Sequence, residues 1–216
     1  MIRNLLIILV LVCAFSCSSD DDSRTQPVNE ISDPGFYGLQ IGNSWVYKSY
    51  QWNSSTETYD NTGVVDSISI VGTEEINGNT YFKFRRLTTG NTSNAPLLSL
   101  NGEYFEHVRD SLGNLIYDDG SIKFTHSDLS ERTITIQSWG TIFETLTANE
   151  AQMTVEAGAF TCNYSERYAK SPEGEQFPGL DRYYYADGIG LIYDTTSFVS
   201  TSYHTVERRL DSYNVQ

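Results

Sequence analysis

From about residue 34 onward, apolar and polar side chains alternate with the period of two that belongs to extended chain, whose successive side chains point to opposite faces. Trp45 and Tyr47 share one face of such a segment and Lys48 takes the other, and Ile134 and Ile136 alternate with Thr133, Thr135 and Gln137. Short runs rich in Tyr, Phe, Val, Ile and Thr recur between clusters of Gly, Asn, Asp and Ser, and helical periodicity is almost absent. Residues that tolerate a left-handed backbone mark the hairpins. Asn77 with Gly78 stands between the run ending near Gly72 and the run Thr80 to Leu87, and Gly113 with Asn114 stands between His107 to Asp110 and Leu115 to Tyr117. Asn101 with Gly102, Asp119 with Gly120 and Asp187 with Gly188 are further candidates. The spacing predicts about eleven to thirteen strands. The helical pieces it allows are short, around Gly35 to Ile41 and Thr147 to Ala151.

These features predict an all-β fold with minor helix: an antiparallel meander forming a curved sheet or an open half-barrel. A closed lipocalin-like barrel or a β-sandwich is the alternative. Gly42 to Trp45 is similar to the lipocalin Gly-x-Trp signature but carries one residue too many.

The pattern changes at the N-terminus. Arg3 precedes an unbroken apolar run from Leu5 to Val12, extended by Cys13, Ala14 and Phe15 to the small residue Ser16. About 20 apolar residues are needed to cross a bilayer as a helix, so this shorter run reads as a removable signal peptide, residues 1–16. Ala14, Phe15, Ser16 and Cys17 resemble the lipobox of bacterial lipoproteins, in a form similar to that of Bacteroidetes. The resemblance implies that Cys17 is lipidated and becomes the new N-terminus. The following Ser18, Ser19, Asp20, Asp21 and Asp22 resemble the acidic signal that sends such lipoproteins to the outer surface, which implies an outer-membrane, surface-facing address. Residues 17–33 are polar and carry Pro27, too poor in apolar surface to form a core, and read as a flexible acidic tether. Residues 34–216 read as a single domain.

With the signal gone, Cys17 and Cys162 are the remaining cysteines, so a disulfide framework is excluded and the domain depends on its core. Cys162 shares a strand face with Phe160 and Tyr164 and reads as a small core residue. The formal charge is −14, and losing Arg3 makes it one unit more negative. A surface of that sign repels phosphate backbones and argues against nucleic acid as a partner.

Catalytic handles are absent from the sequence. His107, His126 and His204 lack zinc-ligand spacing to one another or to a cysteine, and no nucleophile elbow, phosphate loop or dinucleotide fingerprint occurs. No cofactor is expected. Carboxylates are plentiful, which keeps a carboxylate-dependent hydrolase open as an alternative. Asp118, Asp119 and Asp187 beside glycines read as turns. The aromatic content, 13% with fifteen tyrosines, is the compositional feature that suits binding, because Tyr and Trp on a sheet face stack on sugars or line a cavity. Tyr50 with Trp52 and Tyr183 with Tyr185 are the candidate ligand-binding pairs.

Two further stretches, Glu75 to Phe84 with Val108 to Tyr117, and Val155 to Phe160 with Tyr184 to Ile192, resemble a recurrent pattern in Bacteroidetes exported lipoproteins. That resemblance implies a curved antiparallel sheet and no particular activity. The tripeptides starting at Asp66, Asp110 and Asp194 are similar to the O-glycosylation pattern of exported proteins in that phylum, and imply exposed loops there. Together these features favour a lipid-anchored envelope protein, uncertain as an enzyme but leaning away from one, that binds a small apolar or glycan ligand. A structural lipoprotein working through envelope-protein contacts is the second reading.

Overall fold

In the computed structural model the described residues are 35–216, so the expected signal peptide, Cys17 and the tether lie outside them. Local turn chemistry builds the hairpins. Thirteen strands follow: β1 (Ser44–Asn53), β2 (Thr58–Ile76), β3 (Asn79–Thr89), β4 (Gly102–Ser111), β5 (Asn114–Tyr117), β6 (Ile122–Thr125), β7 (Arg132–Gln137), β8 (Gly140–Leu146), β9 (Ala151–Val155), β10 (Gly158–Lys170), β11 (Gln176–Ala186), β12 (Gly190–Thr196) and β13 (Val206–Asn214). Asn77 and Gly78 turn β2 into β3 with φ of 51° and 77°, the paired left-handed geometry that matches the twist of a two-residue hairpin. Between β4 and β5 the left-handed pair is Leu112 (φ 55°) and Gly113 (φ 82°), one residue earlier than the sequence suggests, and Asn114 opens the next strand.

Asn101 and Gly102 form no hairpin. β3 and β4 are joined by the longer loop 90–101, pinned by one asparagine pair: the Asn91 backbone N–H donates to Asn101 Oδ1 at 2.9 Å, and Asn101 Nδ2 donates to the Asn91 carbonyl at 3.2 Å. Leu98 of this loop buries against Val64 and Val206.

No helix occurs among the described residues. Around Gly35 to Ile41 the chain makes turns, with Gly35 and Gly38 both at φ 63°, which a right-handed helix cannot contain. Near Thr147 the backbone N–H and the hydroxyl both donate to the Tyr164 carbonyl, holding the chain against β10 where a helix would need those groups.

The strands form one antiparallel sheet in the order β6-β5-β4-β3-β2-β1-β13-β12-β11-β10-β8-β7, with β9 folded back on β10. It consists of two meanders joined where β1 pairs with β13. The two edges, β6 and β7, are consecutive in the chain and separated only by residues 126–131. At about 3.5 Å per residue so short a link spans roughly 25 Å at most, so the sheet must curl until its edges approach. Bulges assist the curl, at Lys48/Tyr50, Ile70/Gly72, Thr133/Thr135 and Tyr168/Lys170 among others. The bulge in β7 also separates its two isoleucines: Ile134 faces inward, whereas Ile136 is 75% exposed.

The edges share no ladder. Across the seam the Arg132 guanidinium of β7 donates through Nη1 to the Ile122 carbonyl of β6 at 3.2 Å. The architecture is thus the expected open half-barrel, and neither a closed barrel nor a two-sheet sandwich.

The apolar core fills part of the interior. Trp45, Tyr47, Ile70, Cys162, Ile192 and Leu210 form one buried cluster; Tyr37, Val108, Leu115, Phe124, Leu146 and Tyr185 form another. Cys162 is fully buried, and burial, with the charge of Glu150 adding to it, pushes its thiol up to about 12, so it behaves as a small apolar residue.

Candidate functional site

Inside the curl a cavity of about 940 Å³ remains unfilled. Its floor is aromatic. The segment before β1 turns Tyr37 inward, where its hydroxyl donates to the Gly113 carbonyl at 2.6 Å and its ring stands edge-on to Phe124 and Tyr185. Phe124 and Tyr185 stack at 4.0 Å, joining β6 to β11 across the interior. Burial raises the hydroxyl pKa of both Tyr37 and Tyr185, so each stays a neutral hydrogen-bonding group.

The walls carry charge in register. Arg132, Glu144, Arg167 and Asp181 are directly opposed neighbours on β7, β8, β10 and β11, a cross-strand row of alternating sign. Glu144 is 1% exposed and fully satisfied: Arg132 Nη2 donates at 2.5 Å, Arg167 Nε and Nη2 at 2.8 and 2.6 Å, and the Ser165 hydroxyl at 3.0 Å. A buried carboxylate is tolerable only with such a set of donors. Asp181, at the end of the row, is pushed up to about 6 by burial, which Ser197 and the Arg167 charge only partly offset.

A second row places Tyr183, Asp194 and Arg208 opposite one another on β11, β12 and β13. Arg208 bonds Asp194 through Nε and Nη2, and reaches Asp66 of β2 through Nη1 at 3.3 Å. Asp66 is 1% exposed and also accepts from the Thr88 and Ser99 hydroxyls at 2.5 and 3.0 Å. Burial disfavours the Arg208 cation, yet Asp194 and Asp66 outweigh it and hold the pKa well above the ordinary arginine value. Its guanidinium also lies over the Tyr47 ring at 5.2 Å.

The four aromatic candidates are distributed over three places. Tyr183 and Tyr185 line the cavity, and the Arg167 guanidinium lies 4.6 Å from the Tyr183 ring centre. Tyr50 does not: its hydroxyl donates to Glu156 Oε1 at 2.6 Å and Arg209 covers its ring at 4.2 Å. Trp52 packs against Tyr59 and Tyr203 and lines a separate cleft of about 420 Å³, walled by neutral polar groups such as Gln51, Asn61, Asn91 and Thr92. The histidines are apart as well, with His107 between Glu74 and Asp118 at 3.1 and 3.3 Å and His126 stacked on Phe36 at 4.2 Å. Among the described residues no group of three or more His, Cys, Asp or Glu side chains could hold a metal ion. Of the tripeptide hydroxyls, Thr195 is 1% exposed within β12, which removes it as an attachment point.

No family model and no curated protein matches the chain. Two solved structures do match in three dimensions. A candidate exported protein with a YmcC-like fold from Bacteroides fragilis NCTC 9343 superposes with a TM-score of 0.51 at 11% identity, covering 83% of this chain and 99% of that one. A candidate lipoprotein from Parabacteroides distasonis ATCC 8503 gives 0.51 at 12% identity, with the same two coverages. What they share with this chain is the fold. Their near-complete coverage means that the curled open sheet is an architecture of its own size, to which this chain adds residues outside the match.

Proposed function

We propose that this chain is an exported, lipid-anchored envelope protein whose curled sheet holds a small ligand in its interior without transforming it. The observation that carries the reading is the cavity of about 940 Å³ left open among aromatic and charged walls, a size within the range of small-molecule sites. Anchorage rests on the N-terminal pattern: a short apolar signal, Cys17 at the lipobox position, and an acidic run after it that favours the outer surface of the outer membrane. The descriptions of the two similar structures, one as exported and one as a lipoprotein, agree with export to the envelope and a lipid anchor. The carboxylates on the cavity wall, Glu106 and Asp194, are each engaged in an ion pair, with Lys123 and Arg208 respectively, which favours binding over hydrolysis. Tyr183 and Tyr185 are the aromatic contacts proposed for the ligand, an apolar or glycan body. Tyr50 and Trp52 lie outside this cavity, and Trp52 offers a second, smaller polar cleft.

Two measurements test the reading. Labelling with a radioactive lipid precursor in the native host follows Cys17; loss of label in Cys17→Ala supports the anchor, and persistent label refutes it. A thermal-shift panel of glycans and amphiphiles on the folded domain tests the cavity. A ligand that raises the melting temperature of the wild type but not of Tyr183→Ala supports the site, and a panel without any shift counts against it.

A further inference from the structure

Five cations line the cavity, Arg86, Lys123, Arg132, Arg167 and Arg208, against two carboxylates, Glu106 and Asp194, in a chain whose formal charge is −14. The excess narrows to one residue once the pairs are assigned. Lys123 has Glu106, Arg132 and Arg167 share Glu144, and Arg208 takes Asp194 and Asp66. Arg86 of β3 has no carboxylate partner among the described residues. Its guanidinium lies over the Tyr104 ring at 4.8 Å, and its Nε is buried with no hydrogen-bond partner. An aromatic face supports a guanidinium plane without using its N–H donors, so these stay free for an acceptor. Buried donors are nearly always satisfied, so an unpartnered Nε marks a guanidinium that the protein's own acceptors do not engage, and an acceptor in the cavity would meet its terminal Nη groups.

We infer that the ligand of this cavity is an organic anion, an apolar or ring-bearing body with a single acidic group, and that Arg86 is the residue that receives the acidic group. This deepens the cavity-binding reading and rests on it. The planar fork of arginine suits a carboxylate, sulfonate or phosphate oxygen pair. Phe84 and Ile68 beside Arg86, with Tyr183, Tyr185 and Leu191 across the interior, supply surface for the body. With the overall charge strongly negative, the field outside repels an anion, so any affinity for one must come from such a local cation.

Two fluorescent probes with the same anilinonaphthalene body separate the two ideas. One, 8-anilino-1-naphthalenesulfonate, carries a negative charge; the other, N-phenyl-1-naphthylamine, is neutral. The folded protein should bind the sulfonate at least about tenfold more tightly, the worth of one charge-assisted contact. Arg86→Gln should remove most of that preference while leaving the neutral probe within about twofold, and Arg86→Lys should keep part of it. Raising the salt from about 50 to 500 mM should weaken the sulfonate several-fold and spare the neutral probe. If Arg86→Gln fails to fold, the salt dependence and Arg86→Lys decide the matter. Equal binding of the two probes, or equal loss of both in Arg86→Gln, overturns the anion assignment and leaves the cavity reading intact. Failure of both probes to bind the wild type overturns the two together.

Discussion

Glu144→Gln keeps the shape of the side chain at the centre of the Arg132–Glu144–Arg167 row and removes its charge. In the wild type both carboxylate oxygens are occupied, by two guanidinium groups and the Ser165 hydroxyl, at a position 1% exposed. The amide offers one acceptor in place of two and turns an NH₂ toward an arginine, leaving two cations facing each other without an anion. Removing one member of a buried pair costs about 3–5 kcal/mol. The arginines are 17% and 29% exposed, which lets water take up part of the loss, so the lower end, about 3 kcal/mol, applies. With a urea slope near 2 kcal/mol per molar for a domain of this size, the unfolding midpoint should fall by about 1.5 M. The Arg132 clasp on the Ile122 carbonyl should loosen too, seen as faster amide exchange in β6 and β7. An apolar replacement of all three partners, Arg132→Met with Glu144→Leu and Arg167→Met, should recover most of the loss, because it removes the charges together with their desolvation. A midpoint drop below about 0.3 M in the single variant would refute this account of the row, because that is the size of an ordinary surface substitution.

Leu112 holds a left-handed φ of 55° while 93% exposed, so Leu112→Asn loses no burial and should stabilise the domain by about 0.5–1 kcal/mol in urea unfolding; no gain would mean that the turn is unstrained. A Cβ on Gly90, at φ 90°, would stand 2.0 Å from the Gly63 carbonyl oxygen, and Gly90→Ala should cost more than about 2 kcal/mol in the same assay, with a loss under about 0.5 kcal/mol counting against the close approach. Asp181 titrates at about 6 in the fold against an ordinary 3.8. Below pH 4 both folded and unfolded chains keep its proton; between about 4 and 6 the unfolded chain ionises first, so stability falls as pH rises through that window. Asp181→Asn should therefore gain about 1–2 kcal/mol at pH 7 after allowance for its partial exposure and almost nothing at pH 4, and a gain equal at both pH values would contradict burial as the cause.

Much of the fold was legible because it is written locally. Asn77 with Gly78, Asp119 with Gly120, and Asp187 with Gly188 mark hairpins since the left-handed backbone of a tight turn selects those residues whatever surrounds them. Trp45 and Tyr47 declare an inward face by alternation alone. Asn101 with Gly102 misled because an asparagine that latches a long loop through Asn91 has the same sequence signature as one that makes a turn. The aromatic pairs show the same limit in the site. Period two puts Tyr183 with Tyr185 on one face, but only the register of β11 against its neighbours makes that face the interior, while Tyr50 and Trp52 look outward and into a cleft.

The charged rows were harder to read, though a signal existed. Arg208 stands two residues from the buried Val206 and Leu210, Glu144 two residues from the buried Leu146, and Arg86 lies between Phe84 and the buried Thr88. An ionisable residue in phase with a buried face is costly alone and so announces partners. Which partners they are depends on strand register: Glu144 meets Arg132 and Arg167 through the ladders β7–β8 and β8–β10, whereas Arg208 of β13 reaches Asp66 of β2 only once β1 has paired with both of those strands.

The three tryptophans can report whether a ligand binds in the interior of the curled sheet. Trp45 lines the cavity at 4% exposure, Trp52 lines the smaller cleft, and Trp139 is 41% exposed elsewhere. Bromine quenches indole fluorescence only near contact, so titration with a brominated twelve-carbon fatty acid reports which tryptophan the ligand touches. A ligand held in the interior gives saturable quenching that survives in the double variant Trp52→Phe with Trp139→Phe, where Trp45 alone remains, and that vanishes in Trp45→Phe. Quenching that disappears from the double variant and persists in Trp45→Phe would place the ligand outside the cavity and contradict binding in the interior.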